Sequence, residues 1–481
     1  MAFFTNNRYQ PTMFPPVIDD YVPKNSPVRV YDAFVEALNL KELGFKLEPN
    51  PNGGAYEYYA KDMLKLVLYG YSYGATRSSR KLERACHDNL SFIWLMGGLK
   101  PDYRTIARFR SNNKKAIRDV LKQCVHMCIK MDLIEGNLLF VDGSKFRANA
   151  SIHNTWTKER CQKYINKIEK RIDELLDESE KIDIEEQGNP SLVELKEEVK
   201  DKNKLVDKMK EVLKELRKSE KKSINSTDKD CVKGKSRQGT HAIYNVQNTV
   251  DHKHGLIVNS ECVSQSNDYN QLSQQATQAT EILGKPAKNI CADAGYADVD
   301  DLEQIDDKIN IIVPNRKQAQ ESKGKKEISR FDRSHFIYHE KENEYECPAG
   351  ERLTYRGNNS GKYHKTYCAR GGICKACQYY GECTKSKKVG RKIIRLNNEK
   401  FKEKIEQNYL KPENQKIYAL RKQTVEHPFG HLKKNLGVHQ FLLRGKAKVN
   451  AEIAVLSTCF NIRRLMTIVG IPQLIAEMKV I

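Results

Sequence analysis

The chain has 481 residues, 30% of them charged, and carries a net charge of +21 from 83 Lys and Arg against 62 Asp and Glu. That length holds two to four domains with a sizeable core, and the cation excess favours a polyanionic partner, nucleic acid foremost. No apolar run reaches membrane-spanning length. The start "MAFFTNNRYQPTMFPP" lacks the cationic flank and long apolar run of a secretory leader, so the thirteen cysteines read as reduced thiols of a cytoplasmic protein, some of them metal ligands, and not as a disulfide framework.

Residues 1–130 read as helical. In "YYAKDMLKLVLYGYSYGATRSSRKLERACHDNLSFIWL" an apolar helix (Met63, Leu64, Val67, Leu68) meets a turn around Gly74 and then a basic helix. That is the outline of a helix-turn-helix, which many plain helical hairpins share. Its candidate DNA contacts are Arg77, Arg80, Lys81 and Arg84.

In "GNLLFVDGSKFRANAS" the apolar run Leu138–Val141 predicts a short buried strand that delivers Asp142 at its end. From 156 to about 225 the composition turns to Lys and Glu. Ile165, Ile168, Ile172, Leu175 and Ile182, then Leu192, Leu195, Val199, Val206, Met209, Leu213 and Leu216, follow heptad spacing on either side of "QGNPS". Two such arms predict an antiparallel helical hairpin that packs on itself.

"THAIYNVQNTVDHKHGLIVNSECVSQ" predicts two strands around a turn at His252–Gly255. A helix follows in "NQLSQQATQATEIL", then a short strand in "KNICADAGYAD" that ends at Asp293, and another in "INIIVPNRK". Strands and helices in this order form a mixed α/β sheet, whose ligands sit at strand ends. Between 325 and 396, Cys374 and Cys377 form a C-x-x-C pair with Cys347 before it and Cys383 after it. Four thiolates can close a structural Zn²⁺ site; Cys368 is a fifth candidate, and a segment so polar and Gly-rich has little core of its own.

The last stretch is helical. In "TVEHPFGHLKKNLG", Glu426 and Lys433 lie seven residues apart, two turns of a helix, beside an apolar stripe of Val425, Phe429, Leu432 and Leu436. Pro428 suits a first turn or a kink better than a straight helix interior. A further apolar helix (Ile453, Val455, Leu456, Phe460) is expected to cap the sheet.

Asp142, Asp293 and Glu426 are three carboxylates that a fold can bring together. Clustered carboxylates repel unless cations neutralise them, and hard divalent ions such as Mg²⁺ suit oxygen ligands. Two such ions about 4 Å apart promote phosphodiester cleavage. Arg421 and Lys433 would then hold the phosphate backbone.

These motifs resemble those of the DDE transposases of bacterial insertion sequences, over nearly the whole chain. "VDGSKFRANAS" is similar to the first-aspartate motif and "ADAGY" to the second. "YALRKQTVEHPFGHLKK" is similar to the signature of Tyr, Arg, Glu and Lys, here Tyr418, Arg421, Glu426 and Lys433. Four residues separate Arg421 from Glu426, one more than in the commonest form. The resemblance implies an RNase H-like catalytic core (131–155, 236–322 and 397–475), split by a helical hairpin (156–225) and a Cys-rich insert (325–396) and preceded by a helical DNA-binding domain (1–130). It implies Mg²⁺ or Mn²⁺ at Asp142, Asp293 and Glu426, double-stranded DNA as partner, a homodimer in the synaptic complex, a nucleoid-associated cytoplasmic location in a bacterium, and strand cleavage and transfer at the element's terminal inverted repeats. A metal-dependent nuclease or a domesticated recombinase is the alternative. Tyr244, Asn245 and Gln247 are candidates to line the site, with sheet packing the competing explanation.

Overall fold

The computed structural model describes residues 17–48, 57–73, 76–185, 190–219, 221–236, 239–321, 329–358, 364–386 and 388–480. Gly74 and the "QGN" of the hairpin turn lie outside them. The chain is mixed α/β and divides into two compact units: the described residues within 1–268, 278–285 and 423–481, and those within 269–277 and 286–422.

The first unit contains α1 (Ala60–Ser72), α2 (Ser79–Asp88) and α3 (Lys114–Lys130). Met63, Leu64, Val67 and Leu68 of α1 are buried, as their spacing predicts. Ser78 Oγ caps α2 by accepting from Lys81 N, so Arg77 precedes the helix. Next come β1 (Leu138–Arg147) and the hairpin helices α4 (Lys158–Glu185) and α5 (Pro190–Lys218). Ile165, Ile168, Ile172, Val206, Met209, Leu213 and Leu216 form one apolar cluster between the hairpin's arms, which is the seam that the heptads predict. Two-residue strands Thr155–Trp156 and Ile224–Asn225 pair at its base.

β2 (Val232–Ser236), β3 (Gly239–Asp251) and β4 (Ile257–Val263) complete this unit's strands. β3 pairs antiparallel with β1, β2 and β4. β1 does not stop at Asp142: Leu139, Phe140 and Val141 are buried, and the ladder then runs on to Arg147 opposite Ile243. The apolar run marks only the part of the strand buried on both faces.

In the second unit β5 (Asn289–Cys291) and β6 (Asn310–Ile312) pair in parallel. A separate five-stranded antiparallel sheet follows, from Ile337–His339 to Lys392–Leu396. It has a core after all: Phe336, Tyr345, Leu353, Tyr367 and Ile393 are buried together. Tyr345 sits 5.0 Å from Tyr338 and 5.1 Å from Tyr367, ring centre to ring centre. Aromatic rings bury large areas from few residues, which an apolar-residue count in this segment understates.

α6 (Pro412–Gly430) crosses from the residues of the second unit to those of the first and carries Pro428 in its interior. It passes into a widened π turn, His431–Asn435, closed by Leu436 N donating to His431 O at 3.0 Å. α7 (Lys446–Val469) is the central helix of the first unit, buried from Val449 to Ile462, and packs on β4, α1 and α3. Asn450 Oδ1 accepts from Cys262 N, and Asn461 bonds both N and O of Ile257, so amides from this helix satisfy the backbone of β4. Among the described residues no single helix is long and apolar enough to cross a membrane.

Candidate active site

In the antiparallel register Asp142 opposes Asn248, Ser144 opposes Val246 and Phe146 opposes Tyr244. Side chains alternate along a strand, so Asp142, Ser144 and Phe146 share one face of β1. The end of α6 and the π turn cover that face. Phe429 packs 6.3 Å from Phe146, ring to ring. Lys433 Nζ donates to Ser144 Oγ at 2.6 Å and lies 4.6 Å from the centre of the Phe146 ring. Burial lowers the Lys433 ammonium's proton affinity, and the charge of Asp142 opposes that shift. Lys433 is thus a half-buried cation held within electrostatic range of Asp142.

Val425, Phe429, Leu432 and Leu436 are buried, as the stripe predicts, and Glu426 is exposed beside them. The π turn modifies the expected alignment of Glu426 with Lys433. Each residue of a wider turn rotates the chain through a smaller angle, so Lys433 falls short of the position that an unbroken α-helix gives it.

A cleft of about 470 Å³ opens along β1, lined by Gly143, Ser144, Lys145, Phe146, Arg147, Ser236, Ile243, Lys433, Val438 and His439. Three of these are Lys or Arg and none is acidic, which suits a phosphate backbone. On the opposite face of β1, Gly143 is required by a close approach: a Cβ there would collide with Asp268 Oδ1 and Gln247 Nε2. Asn245 and Gln247 both donate to that oxygen at 2.8 Å. Tyr244 donates instead to Asp228, at 2.8 and 2.9 Å. The three residues proposed to line the site therefore brace the strand: Asn245 and Gln247 through Asp268, Tyr244 through Asp228.

Asp293 belongs to the second unit. Its Oδ1 accepts from Gly295 N at 2.7 Å and caps a single 3₁₀ turn. Arg421 and Asp293 both act on the Cys291 thiol, which burial pushes up to about 12. Burial likewise raises the Tyr418 hydroxyl; Arg421 lowers it, and Tyr409, Asp293 and Cys291 add to the rise. Asp293, Tyr418 and Arg421 are thus electrostatic neighbours, with the Arg421 guanidinium 5.9 Å from the Tyr418 ring centre.

The basic N-terminal helix splits. Arg77 is buried, bonded to Glu452 Oε1 at 3.3 Å and to the carbonyls of Gln440 and Gly437. It is a core cation and a correction to the expected DNA contact: its partner Glu452 is a fully buried carboxylate that needs a cation. Arg80, Lys81 and Arg84 are exposed; Arg80 stacks 5.1 Å from the Tyr103 ring centre and Arg84 pairs with Asp88 at 3.2 Å.

Cys347, Cys374, Cys377 and Cys383 line one small cavity of the second unit, and all are free thiols. Burial raises the Cys383 thiol, and the three others add to the rise. Glu351 N donates to Cys347 Sγ at 3.4 Å and Arg391 N to Cys374 Sγ at 3.3 Å. Cys368, the fifth candidate, is buried at the end of its strand and does not line this cavity. The thiols surround the cavity without closing on a point. Among the described residues no three His, Cys, Asp or Glu side chains are grouped so as to hold a metal ion, and this holds for the carboxylates as well.

Sequence reasoning missed Ser144, Lys145, Arg147, His439 and Asp268. Ser144, Lys145 and Arg147 depend on which strand face a residue takes, a register that only the folded sheet sets, and His439 and Asp268 come from loops that the fold brings against that strand.

No curated protein and no solved structure matches the chain. Residues 346–466 match the family model of a transposase DDE domain, and residues 16–112 match that of a transposase domain (DUF772). The first match spans Glu426 and Lys433 and the second spans the basic helix α2. Together they support a DDE-type insertion-sequence transposase, an enzyme of nucleotidyl-transferase type.

Proposed function

We propose that this protein binds the terminal inverted repeats of its own element as a homodimer and cleaves and joins DNA strands on an RNase H-like core. The observation that carries the reading is the β1 face: Asp142, Ser144 and Phe146 under Phe429 and Lys433, from the segment that the transposase DDE domain matches. Asp142, Asp293 and Glu426 are the metal ligands in this reading. Their carboxylate oxygens are the donor chemistry that Mg²⁺ or Mn²⁺ takes. The divalent ion supplies Lewis acidity for phosphodiester cleavage when bound.

The protein's own groups do the rest. Lys433, fixed by Ser144 and Phe146, presents a cation to the strand beside Asp142. Lys145 and Arg147 extend that charge along the cleft, and Arg421 offers a guanidinium beside Asp293. Arg80, Lys81 and Arg84 add exposed charge for the flanking duplex. The four cysteines of the second unit are soft donors of the kind that hold structural Zn²⁺, and backbone N–H groups already bond two of the sulfurs. Zinc content of the purified protein, with Cys374→Ser/Cys377→Ser as control, checks that part.

The test of the reading is cleavage of a labelled DNA fragment carrying the repeat that flanks the coding region, with Mg²⁺, beside a gel-shift assay. Asp142→Asn, Asp293→Asn and Glu426→Gln each remove an anionic ligand at nearly constant shape. Each is expected to abolish cleavage and to leave DNA binding in place. Substantial cleavage by any one of them removes that residue from the site, and cleavage without strand joining by the wild type supports a nuclease instead.

A further inference from the structure

The register sets three polar side chains in a row across the first unit's sheet. Asp142 on β1 opposes Asn248 on β3, and Asn248 opposes Ser260 on β4. Residues directly opposed in antiparallel strands share a face, with Cβ atoms about 4.5–5.5 Å apart. Asn248 is fully buried, and its Oδ1 accepts from Ser260 Oγ at 2.7 Å. The oxygen and nitrogen of a carboxamide diverge, so an Oδ1 fixed on Ser260 of β4 leaves Nδ2 directed away from that hydroxyl, and β1 with Asp142 flanks β3 on the edge opposite β4. Turned over, the amide would set Oδ1 against the Asp142 carboxylate, acceptor against acceptor, so the observed orientation is the favoured one. Nδ2 is shut off from solvent and has no hydrogen-bond partner. The β3–β4 register slips between Thr249 and Val250, the next residues along β3; bulges of this kind re-aim side chains beside active sites.

A buried amide N–H₂ without a partner carries a desolvation penalty that an apolar side chain of the same size avoids. We propose that Asn248 is a positioning residue for Asp142: its Nδ2 donates to one carboxylate oxygen when Asp142 is engaged, holding the side chain so that the other oxygen faces the reaction. The inference rests on the reading of Asp142 as a catalytic carboxylate. A neutral donor suits the place. It orients a carboxylate without competing for its charge, as the outer partners of metal-binding carboxylates do, while Lys433 supplies the charge for the strand.

The experiment uses the full chain with Asn248→Leu and Asn248→Asp. Leu removes the unpaired donor and fills its space. Asp keeps the shape and the Ser260 hydrogen bond but donates nothing. Three quantities are read: melting temperature, Mg²⁺ affinity of the DNA-free protein by calorimetry, and cleavage kinetics on the end fragment. A positioning role predicts that Asn248→Leu stays folded, its lost Ser260 hydrogen bond offset by the removed unpaired donor, yet binds Mg²⁺ several-fold more weakly and cleaves at least tenfold more slowly at saturating DNA, with KM unchanged. Asn248→Asp is expected to cleave at least tenfold more slowly too, and it decides the matter if the Leu variant does not fold. Wild-type cleavage and Mg²⁺ affinity in a folded variant overturn the proposal, as does cleavage lost only in step with melting temperature. Asp142→Asn runs beside them. If it cleaves like the wild type, the reading of Asp142 fails and takes the role of Asn248 with it. If it is inactive while the Asn248 variants are normal, only the present inference falls.

Discussion

Asp142 and Asp293 are both aspartates of a β-strand region, yet they are held in place by opposite means. Asp293 is held locally: its carboxylate accepts from a backbone N–H two residues on and so caps the turn built from the adjoining "AGY". Asp142 sits within a ten-residue strand, and its surroundings come from far along the chain. Lys433 and Phe429 arrive from nearly 290 residues away, and Asn248 from the next strand. Arg77 ties down the segment after the π turn through the Gly437 and Gln440 carbonyls. A local turn tolerates change elsewhere, whereas a site assembled from register and distant packing inherits the sensitivity of every contributor.

Arg77→Ala is the strongest way to break that contrast. It strands the fully buried Glu452 without its cation, a loss of about 3–5 kcal/mol. Chemical denaturation is expected to show that loss, while Arg84→Ala on the exposed face changes stability by less than about 0.5 kcal/mol. Equal stability in the two variants would mean that Arg77 is not part of the scaffold. Gly143→Ala comes next, because the new methyl group meets the Asp268 carboxylate and the Gln247 amide. Overpacking of this kind costs about 1–3 kcal/mol, and a denaturation midpoint at the wild-type value would show that Asp268 moves away freely.

Lys433→Ala sharpens the comparison on the chemical side. It is expected to slow cleavage roughly tenfold, about 1.4 kcal/mol in barrier, without changing Mg²⁺ affinity. Arg421→Ala should do the same for the Asp293 side, and a Mg²⁺ affinity that falls with either residue would recast it as part of the metal's surroundings. A pH-dependent effect belongs to His431, in the π turn, which burial holds to about 4 against an ordinary 6.5. As pH falls from about 6.5 towards 4, the unfolded chain takes up a proton that the folded chain refuses, so stability declines across that window and levels off below it. Melting curves of His431→Gln over the same range should decline less, and curves parallel to the wild type would show that His431 does not contribute.

Much of this was legible in the residues. The hairpin's heptads, the apolar run of β1 and the Val425–Leu436 stripe each repeat a period that a helix or strand imposes. Arg77 was not legible. A cation before a basic helix looks the same whether it meets DNA or a buried Glu452, and that glutamate is 375 residues away. The polarity of β3 left two readings open, site lining and sheet packing: Asn245, Gln247, Asn248, Thr249 and Asp251 are all buried, their hydrogen-bonding needs largely met by partners on other strands and loops. The Cys-rich segment hid its core in tyrosines. The electrostatic neighbourhood of Asp293, Tyr418 and Arg421 was not legible either, because the signature holds Tyr418 and Arg421 but says nothing of Asp293.

The π turn at His431–Asn435 gives this chain a length that can be adjusted without touching its chemistry. Removing one residue between Gly430 and Leu436 would let an ordinary α-helix close over the gap, and the side chains inside the turn would shift by up to about 100° relative to those before it. Lys433 would leave Ser144 while keeping its identity. Chain length in this short arc is therefore a variable that selects which residue meets the strand face, separate from the choice of residue itself. Deletion variants, more than substitutions, would reveal how tightly the spacing is set.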